Sequence, residues 1–427
     1  MSKNNPMRRW SIWFTLVLAF VTVFFHRLAI GVVADDLSID LGLTGKSLAN
    51  LTSMTFYAYA LMQIPVGIMV DSVGVRKFCA LGTLLTGVAS IMFGLSSNLV
   101  VSYAARFMVG LGTSVIIISI LKIQMTWFKP KQFSTLCGLT SLFGNMGAFL
   151  ATLPLAYLVI QVGWRNSFHV MGAISILLSL LIWIIVRDHP EGLEPEYKSS
   201  RNMLEGIKKV LLNPYTWPPF AIMFFMVGSM TAILGLWGIP YLMHVYDISK
   251  AHAAGYLSFA SIGFMVGGPI VGWLSDLLNG EIKRILAVAI SIFTGIWIYM
   301  TIAGGKPPVQ LLPIIFFMLG FTTICHILSF TNVKNVNDPA YTGTATAIIN
   351  VGEFIGGSLL SFSIGVFLDY GWTGAINSGN RVYEATQYQY VFAFISLLSL
   401  CSLASLIFMK GKEAKRKDLN EKSNVAL

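Results

Sequence analysis

Apolar segments long enough to cross a membrane recur along the whole length of this 427-residue chain. A helix needs about 20 mainly apolar residues to cross a bilayer, and lipid offers no hydrogen-bond partner to any other backbone form. Because 55% of the residues are hydrophobic and only 11% are charged, a water-soluble fold is excluded. We therefore predict an all-α membrane protein with twelve spans. They are residues 10–34, 48–70, 76–96, 99–126, 132–160, 164–186, 217–243, 252–275, 284–303, 309–331, 341–367 and 386–410.

The distribution of basic residues predicts how the chain is oriented. An even number of spans places both termini on one side, and loops rich in Lys and Arg face the cytoplasm. The loops on the side of the termini carry 20 basic residues, and the opposite loops carry only five. Both termini are therefore expected in the cytoplasm. The five basic residues of the opposite loops are Lys46, Arg165, Lys250, Lys306 and Arg381.

Composition also limits the class of function. The net charge of +10 is spread among loops and forms no single basic stripe, so we expect no nucleic-acid partner. The four cysteines lie in or beside apolar segments without paired spacing, so neither a disulfide nor zinc is expected. No phosphate-cradling glycine loop, metal-spaced cluster or nucleophile with a nearby base is present. The sequence therefore indicates neither an enzyme nor an ATP-driven pump, and no cofactor is expected.

The chain repeats a short pattern at the second span of each half. Residues 188–216 are the least helical stretch and separate an N-terminal bundle (1–187) from a C-terminal bundle (217–410) and a basic tail (411–427). Gly67 and Asp71 have the same spacing as Gly272 and Asp276, and basic residues that include Arg76 follow. An Asp at a helix end that faces basic residues can form a breakable latch. We interpret Asp71, Arg76 and Asp276 as gate residues, with a purely structural clasp as the alternative.

The loop pattern Gly-x-x-x-Asp-x-x-Gly-x-Arg-Lys resembles the signature of the major facilitator superfamily. The stretch from Arg106 to Gly112 resembles the Arg/Gly pattern of that family's fourth span. The resemblance covers the whole chain and implies two six-helix bundles that rock around a central site to alternate access. It also implies a monomer in a lipid bilayer, here the inner (plasma) membrane, and a role for Arg106 in helix contacts or proton coupling.

Charged residues inside spans cost about 3 kcal/mol or more each at the bilayer centre, so each is a functional candidate. Arg27 lies near the middle of the first span or slightly beyond it, because about 17 residues at 1.5 Å each precede it in the helix. Lys122 lies near the cytoplasmic end of the fourth span. It either holds substrate or extends its amine to the headgroups. Lys334 occupies a matching place in span 10, beside a loop boundary.

The stretch from His26 to Ile30 and the stretch from Lys122 to Trp127 resemble the organophosphate:anion and anion:cation symporters within the superfamily. In those families an arginine at the position of Arg27 contacts the substrate anion. Two cations on different helices can hold a carboxylate or phosphate. Span 7 lacks the arginine of the organophosphate pattern, which favours a singly charged carboxylate or a zwitterion.

Other residues are candidates for coupling or for lining the site. Glu353 can exchange a proton within span 11, or it pairs with a cation from another helix. His26 and His326 can titrate near neutral pH, although a lone buried His is often only a hydrogen-bonded core residue. Trp237 precedes a Gly and Pro break in span 7, where a gating helix can bend or merely pack. The remaining lining candidates are Tyr57, Gln63 and Asn145.

The sequence therefore predicts a secondary active transporter for a small organic anion, driven by protons or by a counter-solute. Efflux of drugs or peptide-like metabolites is the alternative, but an exporter of cations needs an acid in the first bundle, and this chain has Arg27 and Lys122 there. A non-transporting membrane sensor is a more distant alternative.

Overall fold

The computed structural model describes residues 6–129, 132–190, 203–278, 281–338, 341–377 and 380–410. The side chains of Asp71 and Asp276 lie outside the described part, so their predicted gate role has no structural description. Helices account for most of the described chain, as the apolar segments predict.

The N-terminal half begins with a long helix that crosses the predicted first span and continues into a short 3-10 turn at Ala29–Gly31. Thr44 caps the next long helix through a reciprocal contact with Ser47, and Gly74 ends that helix with φ of 91°, a value that favours glycine. The helices of this half are α1 (Pro6–Leu28), α2 (Ala34–Leu41), α3 (Gly45–Val73), α4 (Val75–Leu95), α5 (Leu99–Thr113), α6 (Val115–Trp127), α7 (Phe133–Leu150) and α8 (Leu153–Ile185).

Helix α8 contains a break that separates two predicted spans. Gly163 has φ of 81° and ψ of 162°, so the backbone leaves the helical conformation there. The predicted fifth and sixth spans meet at this residue. The gap between the two predicted spans therefore coincides with a break in the helix.

The C-terminal half follows a short amphipathic helix, α9 (Met203–Leu212), in the predicted linker. Its helices are α10 (Trp217–Ile222), α11 (Gly228–Ala232), α12 (Gly238–Tyr246), α13 (Lys250–Leu277), α14 (Ile282–Ile302), α15 (Leu312–Thr323), α16 (Ile327–Val336), α17 (Thr342–Tyr370) and α18 (Ala385–Ser405). The predicted break in span 7 takes the form of two π-helical turns, at Met223–Val227 and Ile233–Trp237, and Pro240 lies inside α12. Such turns concentrate at functional sites.

One hairpin departs from the all-α prediction. Strand β1 (Ile376–Asn377) pairs antiparallel with β2 (Asn380–Arg381) between α17 and α18. It lies between two spans, where turn residues and not apolar periodicity govern the backbone.

Ten segments of the described chain are long and apolar enough to cross a membrane. One of them, Leu136–Ile185, covers two predicted spans, and α3 covers the predicted second span without being among the ten. The multi-span architecture is therefore confirmed, whereas the count of twelve and the side of the termini stay predictions.

The two halves share one apolar core toward the end of the molecule that carries α2. Helix α3 packs against α17, and the turn at Ala29–Gly31 packs against the π-helical turn at Ile233–Trp237. The backbones are close at Gly31, where an added Cβ would lie 3.3 Å from the carbonyl oxygen of Gly235. This packing brings the last turn of α1 beside the C-terminal half.

Candidate functional site

Arg27 occupies the last turn of α1, where the chain leaves the helix for the 3-10 turn. Its side chain is buried, with 9% of its surface exposed, and Nη1 lies 3.1 Å from Oε1 of Glu353 on α17. The two residues belong to different halves of the molecule. A buried charge needs a paired and hydrogen-bonded partner, and each residue supplies it for the other.

Three aromatic rings surround the guanidinium group of Arg27. The guanidinium carbon lies 4.8 Å from the ring centre of Phe354, 5.0 Å from that of Phe24 and 5.2 Å from that of Tyr59. The rings of Tyr59 and Phe354 are 4.2 Å apart. Aromatic faces attract a cation and exclude water, so they hold the charge where an anion would interact with it strongly.

Polar groups adjoin the Arg27–Glu353 pair. The hydroxyl of Tyr59 interacts with Arg27 and Gln63. Gln63 is 6% exposed, and its Nε2 has no hydrogen-bond partner in the described part of the chain. His326 is half-buried, is 2.8 Å from the carbonyl oxygen of Thr323, and interacts electrostatically with Glu353. Arg27, Glu353, Gln63 and His326 therefore lie in one group.

Arg106 and His26 form a second polar group inside the N-terminal half. Arg106 is 1% exposed and donates from Nη2 to the carbonyl oxygen of His26, 3.0 Å away. The backbone oxygen of Arg106 accepts from Thr55 at 3.0 Å. Both ring nitrogens of His26 lack a hydrogen-bond partner among the described residues. Arg106 therefore joins α5 to α1.

The other predicted site residues have different neighbours. Lys122 is half-buried and donates to the carbonyl oxygen of Val70 at 3.0 Å, which joins α6 to α3. Asn145 donates to the carbonyl oxygen of Ser141 in its own helix. Tyr57 is half-buried on α3.

Trp237 ends the second π-helical turn of the predicted seventh span. It is buried and donates from Nε1 to the carbonyl oxygen of Ser361, 3.0 Å away on α17. This bond lies within the C-terminal half.

Arg76 contacts the end of the N-terminal half. Its backbone nitrogen donates to Asp188 at 2.8 Å, and its Nε donates to the carbonyl oxygen of Trp183 at 2.7 Å. The guanidinium also lies over the Trp183 ring. Asp188 is thus a partner of the predicted gate that the sequence reasoning did not assign.

The sequence reasoning also missed Phe24 and Phe354. A signal was available, because Phe24 precedes Arg27 by one helical turn and Phe354 is adjacent to Glu353. Asp369 accepts hydrogen bonds from the backbone of Gly45 and Lys46. It gave no such signal, since only the tertiary fold brings these partners together.

Comparison with known proteins identifies the family. The family model described as Major Facilitator Superfamily matches residues 12–361. The chain belongs to this superfamily. The resemblance predicted from the loop and span motifs is confirmed, and the protein is a multi-pass membrane transporter by family and not an enzyme.

Several curated relatives span most of the chain. The membrane sensor protein UhpC of Salmonella typhimurium is 24% identical over 87% of this chain and 89% of its own. A probable hexose phosphate transport protein of Chlamydia pneumoniae is 22% identical over 99% of this chain and 95% of its own. The probable galactarate/D-glucarate transporter GudP of Bacillus subtilis is 26% identical over 63% of this chain and 65% of its own.

A solved structure shows the same fold. The D-xylose-proton symporter is 12% identical and superposes with a TM-score of 0.74 over 94% of this chain and 98% of its own. At this identity the likeness concerns the fold alone.

Proposed function

We propose that this protein is a secondary active transporter for a small organic anion, with Arg27 as the residue that holds the anion. The observation that carries the proposal is the buried pairing of Arg27 with Glu353 from the other half of the molecule. An arginine inside a membrane costs free energy, so its presence there indicates a function. Nη1 of Arg27 already contacts one carboxylate oxygen here, which supports a carboxylate as its ligand.

The charges around Arg27 favour a singly charged carboxylate. The structure describes one carboxylate oxygen at Nη1 of Arg27, and the predicted seventh span contains no arginine to add a second fork. Lys122 is the remaining candidate for a second contact with the anion. In this structure its amine donates to the Val70 carbonyl oxygen. A dianionic phosphate needs more positive charge than one arginine supplies. Relatives named for hexose phosphate and for galactarate or glucarate support an anionic substrate.

The coupling step follows from competition for one guanidinium. When an anion binds Arg27, it displaces the carboxylate of Glu353 into an apolar surrounding. A displaced carboxylate there takes up a proton, because burial penalises its charged form. Substrate binding and proton binding are then linked, and the complex carries no net added charge. His326 and His26 are candidate relays for that proton.

We further propose alternating access between two bundles, in an inner membrane, with both termini in the cytoplasm. The bias of 20 basic residues against five supports this orientation. The shared core at the α2 end supports a state that is closed on that side. Asp71, Arg76 and Asp276 remain proposed cytoplasmic gate residues.

A ligand screen by thermal stability tests the proposal. A ligand that binds the folded protein raises its unfolding temperature with concentration. The probes are gluconate, D-glucarate, glucose 6-phosphate and a cationic dye, against wild type, Arg27→Gln/Glu353→Gln, and Arg165→Gln as a control. Arg165 pairs with Asp40 at a half-exposed site and has the same charge as Arg27. We expect gluconate to stabilise wild type and the control but not the double variant. Stabilisation by the dye alone would contradict this proposal and favour the efflux alternative.

A sensor is the second candidate, because UhpC is named a membrane sensor protein. A sensor and a transporter both bind the anion, but only a transporter moves it. Uptake of the binding probe into proteoliposomes separates the two, and ligand-dependent stabilisation without uptake would favour the sensor.

A further inference from the structure

Asp369 is the last acidic residue of α17, and its carboxylate lies at the first turn of α3 in the other half. Its Oδ1 accepts a hydrogen bond from the backbone nitrogen of Gly45 at 3.0 Å, and its Oδ2 accepts one from that of Lys46 at 2.7 Å. The first backbone N–H groups of a helix lack partners within the helix and attract negative charge. Asp369 therefore caps a helix of the opposite half.

Two further donors fix the same carboxylate from its own half. Arg381 on β2 donates from Nη1 at 3.1 Å, and the hydroxyl of Tyr383 donates at 2.8 Å, both to Oδ1. Burial and the Asp369 carboxylate both raise the pKa of Tyr383, so its hydroxyl remains a donor. The β1–β2 hairpin, which the sequence did not predict, thus places Arg381 where it holds Asp369 against α3.

The backbones at this contact are close enough to require glycine. A Cβ added to Gly365 would lie 2.7 Å from the carbonyl oxygen of Gly45, and one added to Gly45 would lie 2.7 Å from the Tyr383 hydroxyl. The side chain of Asp369 is mostly buried at this contact, with 16% of its surface exposed. Bonds to a charged group in such a place are stronger than those at an open surface.

Two contacts of α2 carboxylates join the halves at the same end of the molecule. Nε2 of His244 lies 3.7 Å from Oδ1 of Asp35, and Lys250 pairs with Asp36. Both carboxylates belong to α2 in the N-terminal half, and His244 and Lys250 belong to the C-terminal half. These contacts surround the Asp369 contact on the face that the charge bias places outside.

We propose that these contacts form an outer clasp, made of Asp369 with its four donors and the pairs of Asp35 and Asp36, and that Asp369 is its main gate residue. The clasp holds the halves together on the α2 face and must open before the Arg27 site can face that side. The inference rests on the alternating-access part of the proposed function but not on the charge of the substrate. The clasp is separate from the Asp71 and Asp276 repeat. Asp71 lies at the opposite end of α3 from Gly45, and Asp276 lies at the opposite end of α13 from Lys250.

The labelling rate of a buried cysteine measures the opening of this clasp without any substrate. Ser53 is fully buried on α3 between the clasp and the Arg27 site, and its hydroxyl donates to the carbonyl oxygen of Ser358 in the other half. Ser53→Cys therefore reports separation of the halves on this side. A charged, membrane-impermeant maleimide is applied to the protein in proteoliposomes, and the rate is corrected with protein that retains Ser53.

Asp369→Asn is compared with Asp40→Asn in the Ser53→Cys background. Asp40 is a carboxylate of the same face, but its partners Trp164 and Arg165 belong to its own half. We expect Asp369→Asn to raise the labelling rate by roughly tenfold, since hydrogen bonds to a charged group shift an equilibrium by about that factor or more. Asp40→Asn should stay within about twofold of the parent.

An equal rate in the two aspartate variants would overturn the proposal, provided that both elute as a single folded species. If Asp369→Asn does not purify, Tyr383→Phe removes one donor and keeps the carboxylate. It should raise the rate roughly threefold, as expected for one hydrogen bond. An unchanged rate in Tyr383→Phe would then overturn the proposal. Anion binding by Arg27 is unaffected by either outcome.

Discussion

Arg27 and Glu353, 326 residues apart in sequence, meet at 3.1 Å and join the two halves of the molecule near the centre of their predicted spans. Each is the charged partner of the other in an apolar surrounding. The pairing accounts for the presence of both charges in segments that must lie in lipid. It also gives a substrate anion a defined competitor, and the predictions below follow from that relationship.

Breaking the pair from one side should destabilise the protein more than removing it from both sides. Glu353→Gln leaves Arg27 unpaired, and Arg27→Gln leaves Glu353 unpaired, so each should lower the free energy of unfolding by about 3 kcal/mol. The variant with both substitutions should recover most of the loss. A thermal or denaturant melt of all four proteins gives the coupling energy. Purely additive losses would show that the two side chains do not depend on each other.

Removing an aromatic face from Arg27 should weaken anion binding. Phe354→Leu deletes the ring whose centre is 4.8 Å from the guanidinium carbon, which leaves the charge less well held. A cation–π contact contributes about 1 kcal/mol, or roughly a fivefold change in the dissociation constant. The control is Phe367→Leu on the same helix, where the ring is 46% exposed. Binding isotherms for gluconate should separate the two variants. Equal affinities would show that the Phe354 ring does not contribute to anion binding.

Helix α7 approaches α1 so closely that glycine is required at one position. A Cβ on Gly147 would lie 2.2 Å from the carbonyl oxygen of Val21, whereas a Cβ on Gly138 of the same helix meets nothing within 4 Å. Gly147→Ala should therefore lower the free energy of unfolding by about 1–3 kcal/mol through overpacking. Gly138→Ala should leave it unchanged or raise it slightly, because alanine favours a helix. Melting temperatures that fall equally would contradict the α1–α7 packing.

The fold could largely be read from the sequence because lipid leaves the backbone so few options. Long apolar runs become helices, and the gap between the predicted fifth and sixth spans coincides with the break at Gly163. The sequence marks a break near Trp237, where the helix continues through a π-helical turn at Ile233–Trp237 whose form depends on tertiary packing. Local patterns carry no such information.

The site was predictable only in part. Arg27 and Glu353 stand out because charge in lipid is costly. Their pairing depends on how the two halves rotate against each other, and no local pattern specifies that rotation. The same reason hides Asp369, whose partners at Gly45 and Lys46 lie more than 300 residues away along the chain. Tertiary packing likewise brings His244 to Asp35 and Lys250 to Asp36 from the other half.

The most direct test of the central claim is the number of protons taken up when the anion binds. Calorimetric titration of gluconate into the purified protein, in two buffers of different ionisation enthalpy at neutral pH, measures that number. If the anion displaces Glu353 from Arg27, wild type should take up close to one proton per anion, and Glu353→Gln should bind the anion with none. Equal proton uptake by the two proteins, or binding by wild type without protons, would contradict the exchange of Glu353 for substrate at Arg27.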